Sequence, residues 1–353
     1  MKDEHIRIGR KIIGGNNPVF IVAELSGNHL HDFSLAVKTI QAIKRSGADA
    51  VKLQTYTPDT LTIDCQNKYF RINQGTLWDG KTLYELYRQA YTPWEWHPRL
   101  KKLADDLGLL FFSTPFDKSS VDFLQKMKVP AYKIASFEIA DIPLIEYAAS
   151  KGKPMILSTG IAELKDIKEV VSACRRKGND RIALLKCTSA YPAPLSEANL
   201  LTIPDMKNKF KAVVGISDHT LGIGIASACV ALGARIIEKH FILDRKLGGP
   251  DAAFSLEPDE FKAMVGSIRS TESALGKVTY QLSEKVKKNR VFARSLFCVK
   301  DIIKGEMFTE KNVCSIRPGF GLSPKFYYMV LGKKSARTIK MGTPFTWDLV
   351  SKK

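Results

Sequence analysis

The chain carries six cysteines, Cys65, Cys174, Cys187, Cys229, Cys298 and Cys314, with no C-x-x-C pair and no dense framework among them. That spacing excludes a zinc ribbon and a disulfide scaffold, and reads as reduced thiols in a cytoplasmic protein. Long apolar runs are also missing. The most apolar stretch, IGIASACVALGARII, is interrupted by glycines and stops at Arg235, and the start, MKDEHIRIGRK, has no apolar core of a signal sequence. A soluble protein with no membrane partner is therefore expected. Acidic residues are in deficit, 36 against 54 Lys and Arg, for a formal charge of +18. Such a charge raises nucleic acid or an acidic polysaccharide as a partner, but the basic residues are dispersed, and KVKKNR at 285–290 reads as a solvated linker. A basic cleft for small anions needs only a few of them, so nucleic acid is not expected.

What is present is repetition. Short Val-, Ile-, Leu- and Phe-rich runs alternate with amphipathic segments eight times: PVFIVAE, ADAVKLQ, LLFFST, AYKIAS, KPMILST, IALLKCT, AVVGISD and ARIIEKH. Between them, segments such as SLAVKTIQAIKRSG and ELKDIKEVVSACRRKG have helical periodicity and end on Gly. Eight β-α units in about 250 residues predict an α/β fold of the TIM (β/α)8 barrel type. The barrel is expected over residues 1–275, with a linker at 276–290. Residues 291–353 have short strands, Gly-rich turns and no long helix, which predicts a small, separate β-rich domain.

Polar residues mark the C-terminal end of every run: Glu24, Lys52 with Gln54, Ser113 with Thr114, Lys133 with Ser136, Ser158 with Thr159, Lys186 with Thr188, Ser217 with His219, and Glu238 with His240. One such Ser or Thr is an ordinary helix cap. Eight sets on eight strands converge on one barrel rim, the face where such folds build active sites. His219 and His240, at successive strand ends, suggest a divalent metal site or an acid/base pair, although either alone reads as a polar loop residue. Lys52 and Lys133 place two cations inside a closed rim, which calls for an anion such as phosphate or carboxylate. Glu24 is placed for general acid/base work. The residues thus point to a metal-assisted carbonyl reaction on a phosphorylated, anionic substrate. About 55 residues separate the second and third runs, and their aromatics, Trp78, Tyr84, Tyr87, Tyr91, Trp94 and Trp96, are expected mostly to pack against the barrel.

The motifs AELSGNH, AVKLQTY, FFSTPFD, PAYKIAS, LLKCTSAYP, GISDHTLG, IEKHF and GGPDAAFSLEPDEF, with VKDIIKGE and IRPGFGL in the tail, resemble the sialic acid synthase family end to end. The resemblance implies condensation of phosphoenolpyruvate with an amino-sugar aldehyde. It also implies a C-terminal antifreeze-like (SAF) domain that closes the partner's site in a domain-swapped homodimer. Residue by residue, it implies that His219 and His240 bind the metal, Mn²⁺ or Mg²⁺, with Glu238 and Asp251 acting through water. Lys52, Thr114, Lys133, Ser136, Ser158 and Ser217 would hold phosphoenolpyruvate. Glu24 would be the catalytic carboxylate, while Gln54, Tyr191 and Asp251, together with Arg317 from the other subunit, would face the sugar.

Within the family, TLWDGKTLYELYRQAYTPWEWH, LKCTS and VFARS resemble the pseudaminic acid synthases, and Ser189 stands where N-acetylneuraminate synthases usually carry Asn. This branch implies a 2,4-diacetamido-2,4,6-trideoxy altrose as the sugar, against an N-acetylneuraminate or legionaminate alternative. Rival readings are a 3-deoxy-keto-acid synthase, an aldolase using Lys133 or Lys186 as a Schiff base, and a basic polysaccharide- or nucleic-acid-binding protein.

Overall fold

The computed structural model describes residues 5–352; Met1–Glu4, the start of the N-terminal stretch read above, and Lys353 lie outside them. All eight apolar runs form strands: Phe20–Glu24, Ala50–Thr55, Leu110–Pro115, Tyr132–Ile134, Met155–Ser158, Ile182–Cys187, Val213–Asp218 and Ile236–His240. They pair in chain order, all parallel, and close into a barrel where His240 pairs with Glu24. Their side chains are buried on both faces, against the lumen and against the helices. This is why they read as near-continuous apolar runs and not as alternations.

Local chemistry sets the helix limits. Asp32 accepts from the backbone N–H groups of Ser34 and Leu35 to start the helix Phe33–Arg45. Pro258 opens the last barrel helix, Pro258–Leu275, behind a Glu257/Glu260 capping box. Strands seven and eight approach closely because position 215 is Gly: a Cβ there would sit 2.2 Å from the Ile236 carbonyl oxygen.

An N-terminal hairpin, His5–Ile8 with Lys11–Gly14, was not anticipated. Its Ile6, Ile8 and Ile13 join the barrel core, and Lys11 Nζ lies 2.5 Å from Asp49 Oδ1 at the start of strand two. The hairpin therefore covers the N-terminal end of the barrel, opposite the polar rim.

The chain divides into two compact units after Gly276. The second has its own apolar core, built around Leu296, Cys298, Phe308, Val313, Val330 and Phe345, and an antiparallel strand pair, Ser295–Cys298 with Val313–Ile316. The stretch expected as linker includes one short helix, Glu284–Lys288. No helix among the described residues is long and apolar enough to cross a membrane.

Candidate active site

The inward-facing residues of strands one, two, three, four, seven and eight build a charged and polar cluster in the lumen. Lys52 Nζ lies 2.7 Å from Glu24 Oε2 and 3.4 Å from Glu238 Oε1, and Lys133 Nζ donates to the same Glu238 oxygen at 3.2 Å. Ser217 Oγ also donates to that oxygen, and Lys52 Nζ reaches Thr114 Oγ1 at 3.3 Å. Every member is buried. Burial opposes the Lys52 charge, but Glu238 and Glu24 outweigh it and raise its pKa. Burial also opposes the Glu238 charge, but the two lysines hold its carboxyl down at about 2. Glu24 is the odd carboxylate: burial raises its pKa, Lys52 only partly offsets this, and Glu238 adds to it. The two cations are thus matched by one firmly ionised carboxylate and one that accepts a proton readily. Glu238, expected to act on the metal through water, is engaged at Oε1 by Lys52, Lys133 and Ser217.

Ser158 Oγ and Glu238 Oε2 are buried with no hydrogen-bond partner among the described residues. Ser136 Oγ accepts from the Gly160 N–H at 2.6 Å, and a Cβ at 160 would collide with Ser136 and Ser189, so this corner admits only Gly. An unpartnered hydroxyl, further hydroxyls and paired lysine nitrogens in one lumen are a binding surface for an anion with several oxygens.

Beside this cluster a polar chain runs toward strand eight. Gln54 Nε2 donates to Glu24 Oε1 at 3.3 Å and to Ser26 Oγ at 2.9 Å, and Ser26 Oγ donates to Asp251 Oδ2 at 2.5 Å. Tyr191 stands over it, its ring centroid 4.6 Å from His219 and 5.2 Å from Phe254. Trp78, from the long loop, leans on Tyr191 at 5.5 Å and donates its indole N–H to Pro250 O. Trp94 and Trp96 pack on Phe123 and Phe33. A cavity of about 850 Å³ opens beside Trp78, walled by Tyr91, Arg88, Leu30 and Pro250.

The His219 and His240 rings lie 5.3 Å apart. His219 Nδ1 faces the Thr188 carbonyl at 3.2 Å, which places a proton there and leaves Nε2 for a ligand. His240 Nδ1 is buried and has no partner, and burial holds that imidazole well below its usual pKa, so it is neutral. Burial opposes the His219 charge, but Cys187 and the Thr188 carbonyl outweigh it and raise the His219 pKa, so this imidazole must shed its Nε2 proton to bind; with it gone, the two imidazoles suit a divalent ion whose other positions are open. Among the described residues no group of three or more His, Cys, Asp or Glu forms a metal cage. These two histidines would therefore leave the remaining positions to water and substrate.

Two rim residues escaped the sequence reading. Cys187 Sγ sits 3.7 Å from His219 Nδ1. Glu138, in a 3-10 turn after strand four, has a buried Oε2 without a partner, and burial raises its pKa to about 7. No motif flags it, because its signal is burial and not residue type. Between about pH 4.5 and 7 the unfolded chain releases this proton before the folded one does, so stability falls as pH rises through that window. The Glu138→Gln variant lacks that loss. Its melting temperature relative to the parent should rise from pH 4.5 to 7 and then level off, in thermal melts of the ligand-free protein. A difference that does not change with pH would refute the assignment.

Arg317 belongs to the second unit, where it is exposed and its side chain makes no hydrogen bond or ion pair among the described residues. Of the expected site residues it alone lies outside the barrel.

Residues 39–280 match the NeuB family, and residues 293–351 match the SAF domain. The pseudaminic acid synthase of Campylobacter jejuni is 51% identical over 92% of this chain and 94% of its own length. That of Helicobacter pylori is 49% identical over 94% and 97%. The solved structure of N-acetylneuraminic acid synthetase from Leptospira borgpetersenii is 34% identical, with a TM-score of 0.73 over 81% of this chain and 95% of that one. A closed eight-stranded barrel with paired lysines and paired histidines on one rim, and a separate C-terminal unit with its own core, accompany these matches; the chain belongs to the NeuB family.

Proposed function

We propose that the chain is a pseudaminic acid synthase, joining phosphoenolpyruvate to 2,4-diacetamido-2,4,6-trideoxy-β-L-altropyranose with release of phosphate. The observation that carries the reaction class is the Lys52–Lys133 pair facing Glu24 and Glu238 inside the barrel. Identity near one half to two pseudaminic acid synthases over more than nine-tenths of the chain carries the product.

Lys52 and Lys133, with the hydroxyls of Thr114, Ser136, Ser158 and Ser217, hold the phosphate and carboxylate. The open-chain sugar lies across Gln54, Asp251 and Tyr191, with C1 toward C3 of phosphoenolpyruvate. A divalent ion held by His219 and His240 supplies Lewis-acid polarisation of the aldehyde oxygen when bound. Imidazole donors favour Mn²⁺ over Mg²⁺, which prefers an all-oxygen shell. The C3–C1 bond forms, and the aldehyde oxygen takes up a proton. Water adds at C2 and loses a proton, the C2–O bond to phosphate breaks, and the nine-carbon 2-keto acid closes to its ring. Glu24, held with a raised pKa, exchanges these protons. Anion binding between the lysines competes with both carboxylates and favours protonation of Glu24, the weaker acid of the two. Phosphate released together with a nine-carbon acid, in equal amounts, tests the reaction.

Arg317 reaches the sugar from a partner subunit in a domain-swapped homodimer; its exposure and lack of a partner within its own unit support this. Its loss removes a charge-assisted bond to an acetamido oxygen, so Arg317→Ala should raise the sugar KM about tenfold or more. Mixing Arg317→Ala with Glu24→Ala chains should restore activity, since some heterodimers then hold one intact site. No recovery after subunit exchange, checked by mass, would argue that each tail serves its own barrel. We read the reaction as cytoplasmic, a reading that the free thiols and the use of phosphoenolpyruvate support.

A further inference from the structure

Strand alternation turns Glu238 and His240 into the lumen and sends Lys239 to the outer face, among the barrel helices. There Lys239 Nζ lies 2.8 Å from Asp218 Oδ2, and neither side chain has any exposed surface. The same ammonium donates to the Thr220 carbonyl. The other Asp218 oxygen accepts from the Thr220 N–H at 2.9 Å and from its hydroxyl at 2.7 Å. Lys239 and Asp218 are register partners on strands eight and seven. One ammonium thus holds the residues immediately before and after His219, while its own residue immediately precedes His240.

A fully buried ion pair is poor value for stability alone, because well-packed apolar replacements are often neutral or stabilising. What this pair does that a Met–Leu contact would not is tie two loop-bearing strand ends at one spacing. We propose that the Lys239–Asp218–Thr220 clamp is a positioning device for the metal site, setting the separation and tilt of His219 and His240 without touching the ion. The inference rests on the metal reading of those histidines. It is tested so that the two fail separately.

The test is Mn²⁺ titration of the full chain, followed by electron paramagnetic resonance of the free ion, with phosphoenolpyruvate binding measured calorimetrically in parallel. The double variant Asp218→Asn/Lys239→Met removes both charges at nearly constant volume, so no lone buried charge remains. The clamp predicts a Mn²⁺ Kd weakened about 10- to 100-fold, the usual cost of losing a partner that orients a metal-binding histidine, with phosphoenolpyruvate affinity within about twofold. Thr220→Val, which deletes one hydroxyl bond and keeps the ion pair, should weaken Mn²⁺ severalfold and serves if the double variant does not fold. Unchanged Mn²⁺ affinity in either folded variant overturns the clamp. Equal losses of Mn²⁺ and phosphoenolpyruvate binding also overturn it, since they mean a general disturbance of the barrel. If the parent protein itself takes up no Mn²⁺, or His240→Ala binds it as well as the parent, the metal reading fails first and the clamp with it.

Discussion

Replacing Lys133 with Met is expected to lower kcat/KM for phosphoenolpyruvate by about a thousandfold while the protein stays folded. Lys133 is buried, and its ammonium donates to Glu238, which Lys52 and Ser217 also contact. Removing it therefore does not strand Glu238, which keeps two partners. What is lost is half of the fixed positive charge that faces a trianionic substrate in a water-poor lumen. Truncating one partner of a buried, hydrogen-bonded charge pair costs about 2–5 kcal/mol, and a thousandfold loss corresponds to roughly 4. The loss should appear mainly as a raised KM, measured by steady-state phosphate release. The same variant separates the synthase from a class I aldolase. Borohydride should trap no adduct on the parent protein, because the Lys133 nitrogen is engaged by Glu238 and Lys186 donates to the Cys187 carbonyl and the Thr188 hydroxyl, although burial lowers the pKa of both lysines. A covalent adduct at either lysine, or full activity without Lys133, would reject the anion-holding role.

The second large effect is expected at the histidines. His240→Ala and His219→Ala should each reduce turnover by more than about a thousandfold, the scale of removing a Lewis acid that stabilises developing charge. The apo proteins should differ in stability in a way the geometry dictates. His240 Nδ1 has no partner, so its truncation orphans nothing. His219 gives its Nδ1 proton to the Thr188 carbonyl, so His219→Ala leaves that oxygen unpaired and should melt lower than His240→Ala. Chelator treatment of the parent protein should reproduce the activity loss, and Mn²⁺ should restore it. Turnover that persists in chelator would refute the metal role, whatever the variants do.

The barrel was legible because of its burial. Strands packed on both faces leave uninterrupted apolar runs, and their polar ends, Glu24 to His240, fall on one rim once the strands are counted. The hairpin His5–Ile8/Lys11–Gly14 was missed because eight residues give too short a pattern beside a Gly-Arg turn. The direction of Glu238 was not readable either. Its partners, Lys52 and Lys133, lie more than a hundred residues away and meet it only across the closed lumen. Glu138 was invisible for a related reason: its raised pKa comes from desolvation, a property of packing that no local motif records. Trp78 illustrates the middle case, since its spacing suggested packing, and its indole does pack, but on Tyr191 beside the histidines. Chemistry carried by residue type at strand ends was readable, and chemistry carried by what surrounds a residue was not.

The pairing of phosphoenolpyruvate with the diacetamido, 6-deoxy sugar is tested most directly by incubating the protein with phosphoenolpyruvate and Mn²⁺. The sugars offered, separately, are 2,4-diacetamido-2,4,6-trideoxy-β-L-altropyranose, its legionaminate-series isomer and N-acetylmannosamine, with phosphate release and product mass followed together. Stoichiometric phosphate and a diacetamido acid with a nine-carbon backbone are expected with the altrose-series sugar, and at most trace turnover with the other two. Preferential turnover of either alternative sugar would contradict the assignment of substrate, and no phosphate release with any of the three would contradict the synthase itself.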